Sequence, residues 1–346
     1  MIRDVFNEPD LHMNTINRQF RIAARPVGMV KETDFEYAEV PVPDIRDGEA
    51  RIRTTYLSLD PSMRGQMENR ADYVAPLAIG DVMRAGGVGV IDASKNPNLP
   101  KGALVAGTLG MQQFCVTDGK TLPLRVYPDG TDPIAALGVL GGTGMTAYFG
   151  LLDLGEPKPG QTVVVSGAAG ATGSIAGQIA RIKGCRVVGL AGGPAKCAWL
   201  TDELGFDVAI DYKSQDVGAA LDAACPNGIN IYFDNVGGEI LDLCLARIAM
   251  NARVVICGGI SRYNAQGPIP GPRNYFNLVF RRARMEGFIV LDYAKRFPDA
   301  SRQLQQWIDS GELKHRATIV EGFENLPKAL IQLFQGENIG KMMVKV

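Results

Sequence analysis

The chain has 346 residues, 46% hydrophobic and 21% charged, and its 36 basic residues nearly balance 37 acidic ones for a net charge of −1. That composition excludes large-scale disorder and leaves no general field for nucleic acid or anionic lipid. Only two histidines occur, His12 and His315, at opposite ends of the chain, which excludes a multi-histidine metal site and limits a histidine base to two candidates.

At roughly 100–200 residues per domain, the length predicts two domains. Residues 1–132 read as β-rich: Arg18–Ala24, Phe35–Val40, Ala50–Leu57, Gly87–Ala93 and Gln112–Val116 are short runs bounded by Pro, Gly, Asp and Asn. Many short strands of this kind predict a partly open barrel or sandwich. From Pro133 apolar strands alternate with helical patterns. Strands are predicted at Thr162–Ser166, Cys185–Leu190, Asp207–Ile210, Asn230–Phe233 and Arg253–Gly258. Helices are predicted at Ser174–Lys183, Ala195–Leu204, Gln215–Ala224, Glu239–Ala249 and Pro298–Asp309. This βαβ series predicts an α/β unit with a parallel sheet over 133–311. Residues 312–346, with strand-like Thr318–Val320 and Met342–Val346, read as β-rich again and return to the first domain.

Six cysteines (Cys115, Cys185, Cys197, Cys225, Cys244 and Cys257) form no CxxC pair. They read as free buried thiols in a reducing compartment. The start, Met1-Ile2-Arg3-Asp4, lacks the apolar stretch of a secretory signal, and the least charged window, Thr162–Ala180, carries too many glycines and polar residues for a membrane span. A cytoplasmic protein is expected.

Fifteen of the 41 glycines fall between Gly138 and Gly193. The densest signal is Val163-Val164-Val165-Ser166-Gly167-Ala168-Ala169-Gly170-Ala171-Thr172-Gly173-Ser174, a buried strand running through a GxxGxxG turn into a helix of small residues. Such a turn lets backbone approach a pyrophosphate, and the helix start offers it free N–H groups and a positive dipole end. The second strand ends in Leu190-Ala191-Gly192-Gly193-Pro194-Ala195-Lys196, without the acid that would bind a ribose 2′-hydroxyl. Lys196 can instead pair with a 2′-phosphate, with Tyr212 flanking it, so NADP is favoured over NAD.

The chain resembles the zinc-independent medium-chain dehydrogenases/reductases, and within them the leukotriene B4 dehydrogenase/prostaglandin reductase group of double-bond reductases. The resemblance runs through Leu57-Ser58-Leu59-Asp60-Pro61-Ser62-Met63-Arg64, Met145–Gly150, Gly167–Gly173, Phe233–Gly238, Ile256–Asn264 and Asn338-Ile339-Gly340-Lys341. It implies a Rossmann doubly wound parallel sheet plus a GroES-like β-barrel domain, and a homodimer. It places the diphosphate at Gly170, Ala171, Thr172, Gly173 and Ser174, and the 2′-phosphate near Lys196 and Tyr212. Asn235, Thr146, Phe288, Ile289 and Val290 are implied around the ribose–nicotinamide half, and Asn338 on the C-terminal return. Cys257, Gly258, Ile260, Ser261 and Tyr263 follow the fifth strand along the cofactor, with Tyr263 at the reacting end. The family commonly has a tyrosine in the Asp-Pro-x-Met-Arg segment; Ser62 stands there in this chain, which implies a roomier or more polar substrate pocket.

Reducing a simple ketone benefits from a Lewis acid on oxygen, and neither histidine lies in a ligand cluster. A conjugated C=C–C=O needs less help: hydride adds to the β-carbon, and a hydroxyl such as Tyr263 stabilises the enolate oxygen. Three functions follow: an NADPH-dependent enal/enone reductase, an NADPH:quinone reductase, and a cofactor-binding structural or regulatory protein without turnover.

Overall fold

The computed structural model describes residues 16–70 and 74–346; His12 lies outside the described residues. The first unit opens with an antiparallel pair, β1 (Ile16–Ile22) and β2 (Phe35–Pro41). A seven-stranded sheet follows, made of β3 (Ala50–Ser58), β4 (Gly86–Ser94), β5 (Leu104–Thr108), β6 (Phe114–Thr117) and β7 (Arg125–Val126), with two strands from the far end of the chain. β5 and β7 have no counterpart among the strands predicted from sequence. Leu57, Met63, Met83 and Met111 pack with Phe20 and Ile22 in the core of this unit.

Asp132 caps the helix Pro133–Leu137 by accepting from the N–H groups of Ile134 and Ala135, and Pro133 supplies the preset first turn. Six parallel strands then form the second sheet: β8 (Thr162–Val165), β9 (Arg186–Ala191), β10 (Val208–Asp211), β11 (Ile229–Asp234), β12 (Ile248–Ile256) and β13 (Arg284–Gly287). Their spatial order is β10-β9-β8-β11-β12-β13, which is the 3-2-1-4-5-6 order of the Rossmann fold. β8 shows why its sequence is uniformly β-branched: Val163 and Val165 face one core, Val164 the other, and all three are fully buried.

The predicted helices appear with shifted ends. Glu239–Ala249 stops at Leu245, because Ile248 already pairs with Ile229 as the first residue of β12. Ala195–Leu204 is one α-turn, Pro194–Ala198, continued by a π-helical stretch, Trp199–Glu203. The final segment is not simply β-rich. Between β14 (Ala317–Glu321) and β15 (Lys341–Lys345) lies the helix Leu326–Gln335, whose buried Leu326, Ala329, Leu330 and Leu333 have helical spacing. β15 pairs in parallel with β14 and antiparallel with β3, so the end of the chain completes the first sheet.

The largest buried cluster crosses between the units: Val88, Tyr127 and Met343 pack with Leu137, Ile175 and Phe233. This continuity fixes the position of one sheet against the other and so the crevice at the C-terminal ends of β8–β13.

Candidate active site

The sheet order reverses between β8 and β11, the place where a parallel sheet opens a ligand crevice. Ser166 and Asp234 follow and end these two strands. Buried Ser166 donates its hydroxyl to Asp234 Oδ1 (2.9 Å) and accepts the Asn235 N–H (2.9 Å). Asp234 Oδ1 also accepts from the Tyr232 hydroxyl and from the N–H groups of Val236 and Gly237. Asn235 Nδ2 donates to the Ser166 carbonyl (2.7 Å), so the side chain is fixed at the switch point. Neither Ser166 nor Asp234 is among the predicted site residues; their position directly beside Gly167 and Asn235 was the available signal.

From Gly170 the helix Ala171–Ile182 begins with no side-chain cap and no acid in its first turn. Its leading N–H groups therefore remain for an anion. Gly173 is required by close approach: a Cβ there would lie 2.4 Å from the Gly167 carbonyl oxygen. Ala171 and Thr172 are half-buried, whereas Ser174 is buried beside a water-sized cavity of about 10 Å³ shared with His315, Arg316 and Lys341.

At the ends of β9 and β10, Lys196 stands beside Lys213. Burial, and then the Lys213 ammonium, lower the pKa of Lys196. Two neighbouring cations in a partly desolvated corner make an environment that an anion would relieve. Lys213, which the sequence analysis did not single out, directly follows Tyr212. Gly192 clears room for the Tyr212 ring itself: a Cβ there would meet the phenol oxygen at 2.6 Å and Lys213 Cε at 2.9 Å. Asp211 does lie nearby, but its oxygens accept from Gly193 N–H, Lys213 N–H and the Ser214 hydroxyl, which bind the turn together.

After β12, Cys257 and Gly258 donate their N–H groups to the Asp234 carbonyl, Ile260 to that of Asn235, and Ser261 bonds Val236 through both N–H and hydroxyl. The loops after β11 and β12 are thus one braced unit. It carries Tyr263, whose phenol oxygen accepts the Gly259 N–H at 3.2 Å. Burial, with Asp234 nearby, pushes the Cys257 thiol up to about 12, so it stays protonated and is no nucleophile. Phe288, Ile289 and Val290 follow β13, half-buried; a Cβ on Gly150 would meet the Phe288 ring at 2.5 Å, which sets this stretch against the helix Gly142–Phe149 that carries Thr146. Asn338 is buried on the return from the Leu326–Gln335 helix, its amide bonded to the Gly340 carbonyl. Ser62 opens the short helix Met63–Gln66 in the first unit, where Arg64 bonds the Pro26 and Gly28 carbonyls. All six cysteines are free; four are buried, and Cys197 and Cys257 are half-buried. Among the described residues no group of three or more His, Cys, Asp or Glu could hold a metal ion, and no helix is long and apolar enough to cross a membrane.

An uncapped helix start behind a glycine turn, a two-lysine corner and a Rossmann strand order define an NADP-dependent dehydrogenase/reductase. Residues 18–124 match the family described as the N-terminal domain of oxidoreductase, and 171–306 that described as zinc-binding dehydrogenase. The chain is 40% identical to the NADPH-dependent curcumin reductase of Escherichia coli (strain K12) over 335 residues, 95% of this chain and 97% of that one. It is 41% identical to prostaglandin reductase 1 of Bos taurus over 324 residues, 92% and 96% of the two chains. The structure of CurA from Vibrio vulnificus in complex with NADPH superposes with a TM-score of 0.90 at 41% identity, covering 95% of this chain and 99% of that one. The chain belongs to the zinc-independent medium-chain dehydrogenases/reductases, in the leukotriene B4 dehydrogenase/prostaglandin reductase group. It is an NADP-dependent oxidoreductase whose cofactor is NADPH.

Proposed function

We propose that this enzyme reduces the activated C=C bond of α,β-unsaturated aldehydes and ketones. The observation that carries the proposal is Tyr263, a phenol on the short helix Ile260–Tyr263 that follows the fifth parallel strand, with the Gly259 N–H directed at its oxygen. An N–H there supports the negative charge left on the oxygen when the phenol gives up its proton. NADPH, when bound, would supply the hydride for the β-carbon. Tyr263 holds a donor toward the carbonyl oxygen as charge develops there, and the α-carbon takes a proton from the phenol or from solvent. Ala171–Ser174 hold the diphosphate, Lys196, Lys213 and Tyr212 the 2′-phosphate. Asn235, Thr146, Phe288–Val290 and Cys257–Ser261 would line the ribose–nicotinamide half, with Asn338 approaching the cofactor from the C-terminal return. Ser62 lies on the substrate wall in the barrel unit. The catalytic halves are 1–132 with 312–346 on one side and 133–311 on the other. Relatives named as a curcumin reductase and prostaglandin reductases support this substrate class.

We also propose a homodimer through β13. This edge strand is exposed along its whole length, and Phe276, Val279 and Phe280, in the segment just before it in the chain, are 54%, 61% and 61% exposed. An unpaired edge flanked by an apolar patch favours pairing with a second copy. Free thiols throughout support a reducing, cytoplasmic location.

The test is NADPH oxidation against a panel of enals, enones and quinones, with NADH in parallel. Turnover on enones with NADPH preferred is expected. Turnover on quinones alone would make the protein a quinone reductase, and binding without turnover a cofactor-binding protein.

A further inference from the structure

The turn joining the Leu326–Gln335 helix to β15 touches three parts of the molecule within six residues. At its start the Gly336 carbonyl accepts from Lys196 Nζ. In its middle the Gly340 N–H donates to the Ala169 carbonyl (2.8 Å), and Gly340 bridges Gly170 as an isolated parallel pair. The glycine is obligatory there, since φ is +69° and a Cβ would lie 2.0 Å from the Arg316 carbonyl oxygen. At its end Lys341 Nζ donates to the Leu59 carbonyl (3.1 Å) and pairs with the Asp60 carboxylate. Leu59 N–H donates to the Met342 carbonyl, and the Ser58 hydroxyl to the other Asp60 oxygen.

Lys341 is nearly fully buried, its side chain 6% exposed against 30% for Asp60. As a stabiliser such a pair is a poor choice, because desolvation consumes much of the Coulomb gain and apolar residues of like volume hold a core as well. What it supplies is register between two segments that are otherwise 281 residues apart. Burial opposes ionisation of Asp60, but the Lys341 ammonium and hydrogen bonds from Lys341 and Ser58 hold its carboxyl below the usual range. The Asp60 carboxyl is therefore ionised at neutral pH.

We propose that Lys341 is a positioning residue: it locks the pocket segment Leu59–Arg64 to the Ala169–Gly170 turn, so that filling the diphosphate site orders the substrate wall in the other unit. The role of Leu59–Arg64 as that wall rests on the proposed reaction; the coupling itself does not. The chain of contacts is continuous: phosphate turn, Gly340, Lys341, Asp60, then the Met63–Gln66 helix, whose Met63 N–H donates to the Asp60 carbonyl (3.0 Å), with Ser62 next to Met63. Each link is a directional hydrogen bond or ion pair, or the next residue along the backbone.

Hydrogen–deuterium exchange on the full chain, with and without NADPH, tests the coupling. In the unmodified protein NADPH is expected to slow exchange at residues 166–174 and also at 57–66. In Lys341→Met the protection at 166–174 stays and that at 57–66 falls by about fivefold or more. The NADPH dissociation constant moves by less than about threefold, while kcat on an enone falls by about tenfold. Asp60→Asn, which keeps the shape and the Leu59 bond, gives the same pattern more weakly and stands in if Lys341→Met fails to fold. Adding Asp60→Asn to Lys341→Met then costs little more than the single change. Unchanged protection at 57–66 in both variants, no NADPH effect at 57–66 in the unmodified protein, or equal loss at both segments with weakened NADPH binding would each overturn the proposal. If enones and quinones are not reduced while protection at 57–66 depends on Lys341, the reaction fails and the coupling stands. If enones are reduced and that protection ignores Lys341, the reverse holds.

Discussion

Lys196 Nζ lies 2.7 Å from the carbonyl oxygen of Gly336, 140 residues further along the chain. The bond joins the corner after β9 to the end of the Leu326–Gln335 helix and fixes the ammonium to which the proposed function assigns the ribose phosphate. Lys196→Ala should weaken NADPH binding by about ten- to hundredfold, the range for a charge-assisted bond, and leave NADH nearly unaffected. Fluorescence titration of both cofactors measures the ratio.

The same ammonium predicts a pH dependence. Burial and Lys213 make Lys196 lose its proton at lower pH than an ordinary lysine. Only the charged form pairs with a phosphate, so the preference for NADPH should decline earlier on the alkaline side than a normal lysine would give. Lys213→Ala removes the repulsion and should move that decline to higher pH. The preference ratio titrated from about pH 7 to about pH 10.5 checks it.

Tyr263→Phe removes the hydroxyl and keeps the ring. On an enone, kcat should fall by about a hundredfold, while the NADPH dissociation constant changes less than about threefold. A kcat/KM unchanged across pH would remove the phenol from the reaction.

Two glycines predict opposite signatures. Gly173→Ala puts a methyl against the Gly167 carbonyl oxygen, which cannot yield without moving the turn, so stability should drop by about 1–3 kcal/mol along with NADPH binding. Gly192→Ala collides with the Tyr212 phenol, which is 41% exposed and can swing outward. Its unfolding midpoint should stay nearly unchanged while NADPH affinity falls several-fold. Denaturant melts paired with cofactor titration separate the two.

His315 predicts an acid-side loss of stability. Burial lowers its pKa below 6.5, with Asp132 opposing. Between its folded value and 6.5 the unfolded chain binds more protons, so the contribution is complete above 6.5 and is lost as pH falls through the folded value. His315→Gln should flatten that part of the decline in melting temperature on going from about pH 7 to about pH 5.

Phe280→Glu should convert a dimer to a monomer in light scattering, because a carboxylate on the apolar margin of β13 cannot be buried unpaired.

The first five Rossmann strands were legible because most are buried on both faces and helices between them end at glycines, as at Val163–Val165 and Gly205, whereas the exposed edge strand β13 was not predicted. β7 was not, since two residues carry no period. The Leu326–Gln335 helix had a clear 3–4 spacing that the strand-like segments around it masked. In the candidate site, Asn235 and Lys196 were readable in the sequence as polar groups following strand ends. Lys213, Asp234 and Lys341 were not, because their meaning depends on partners brought near by folding: Gly192, Ser166 and Asp60.

β15 completes the sheet begun by β3, with Val344 opposite Leu57 and the whole cofactor half lying between them in the chain. During synthesis the Tyr56–Ser58 end of β3 therefore waits for its neighbour until the intervening chain has been made. At about 5–20 residues per second that is roughly 15–60 s. The nucleotide-binding half, whose strands neighbour one another in sequence, can fold within that interval, and the barrel closes last around a finished partner.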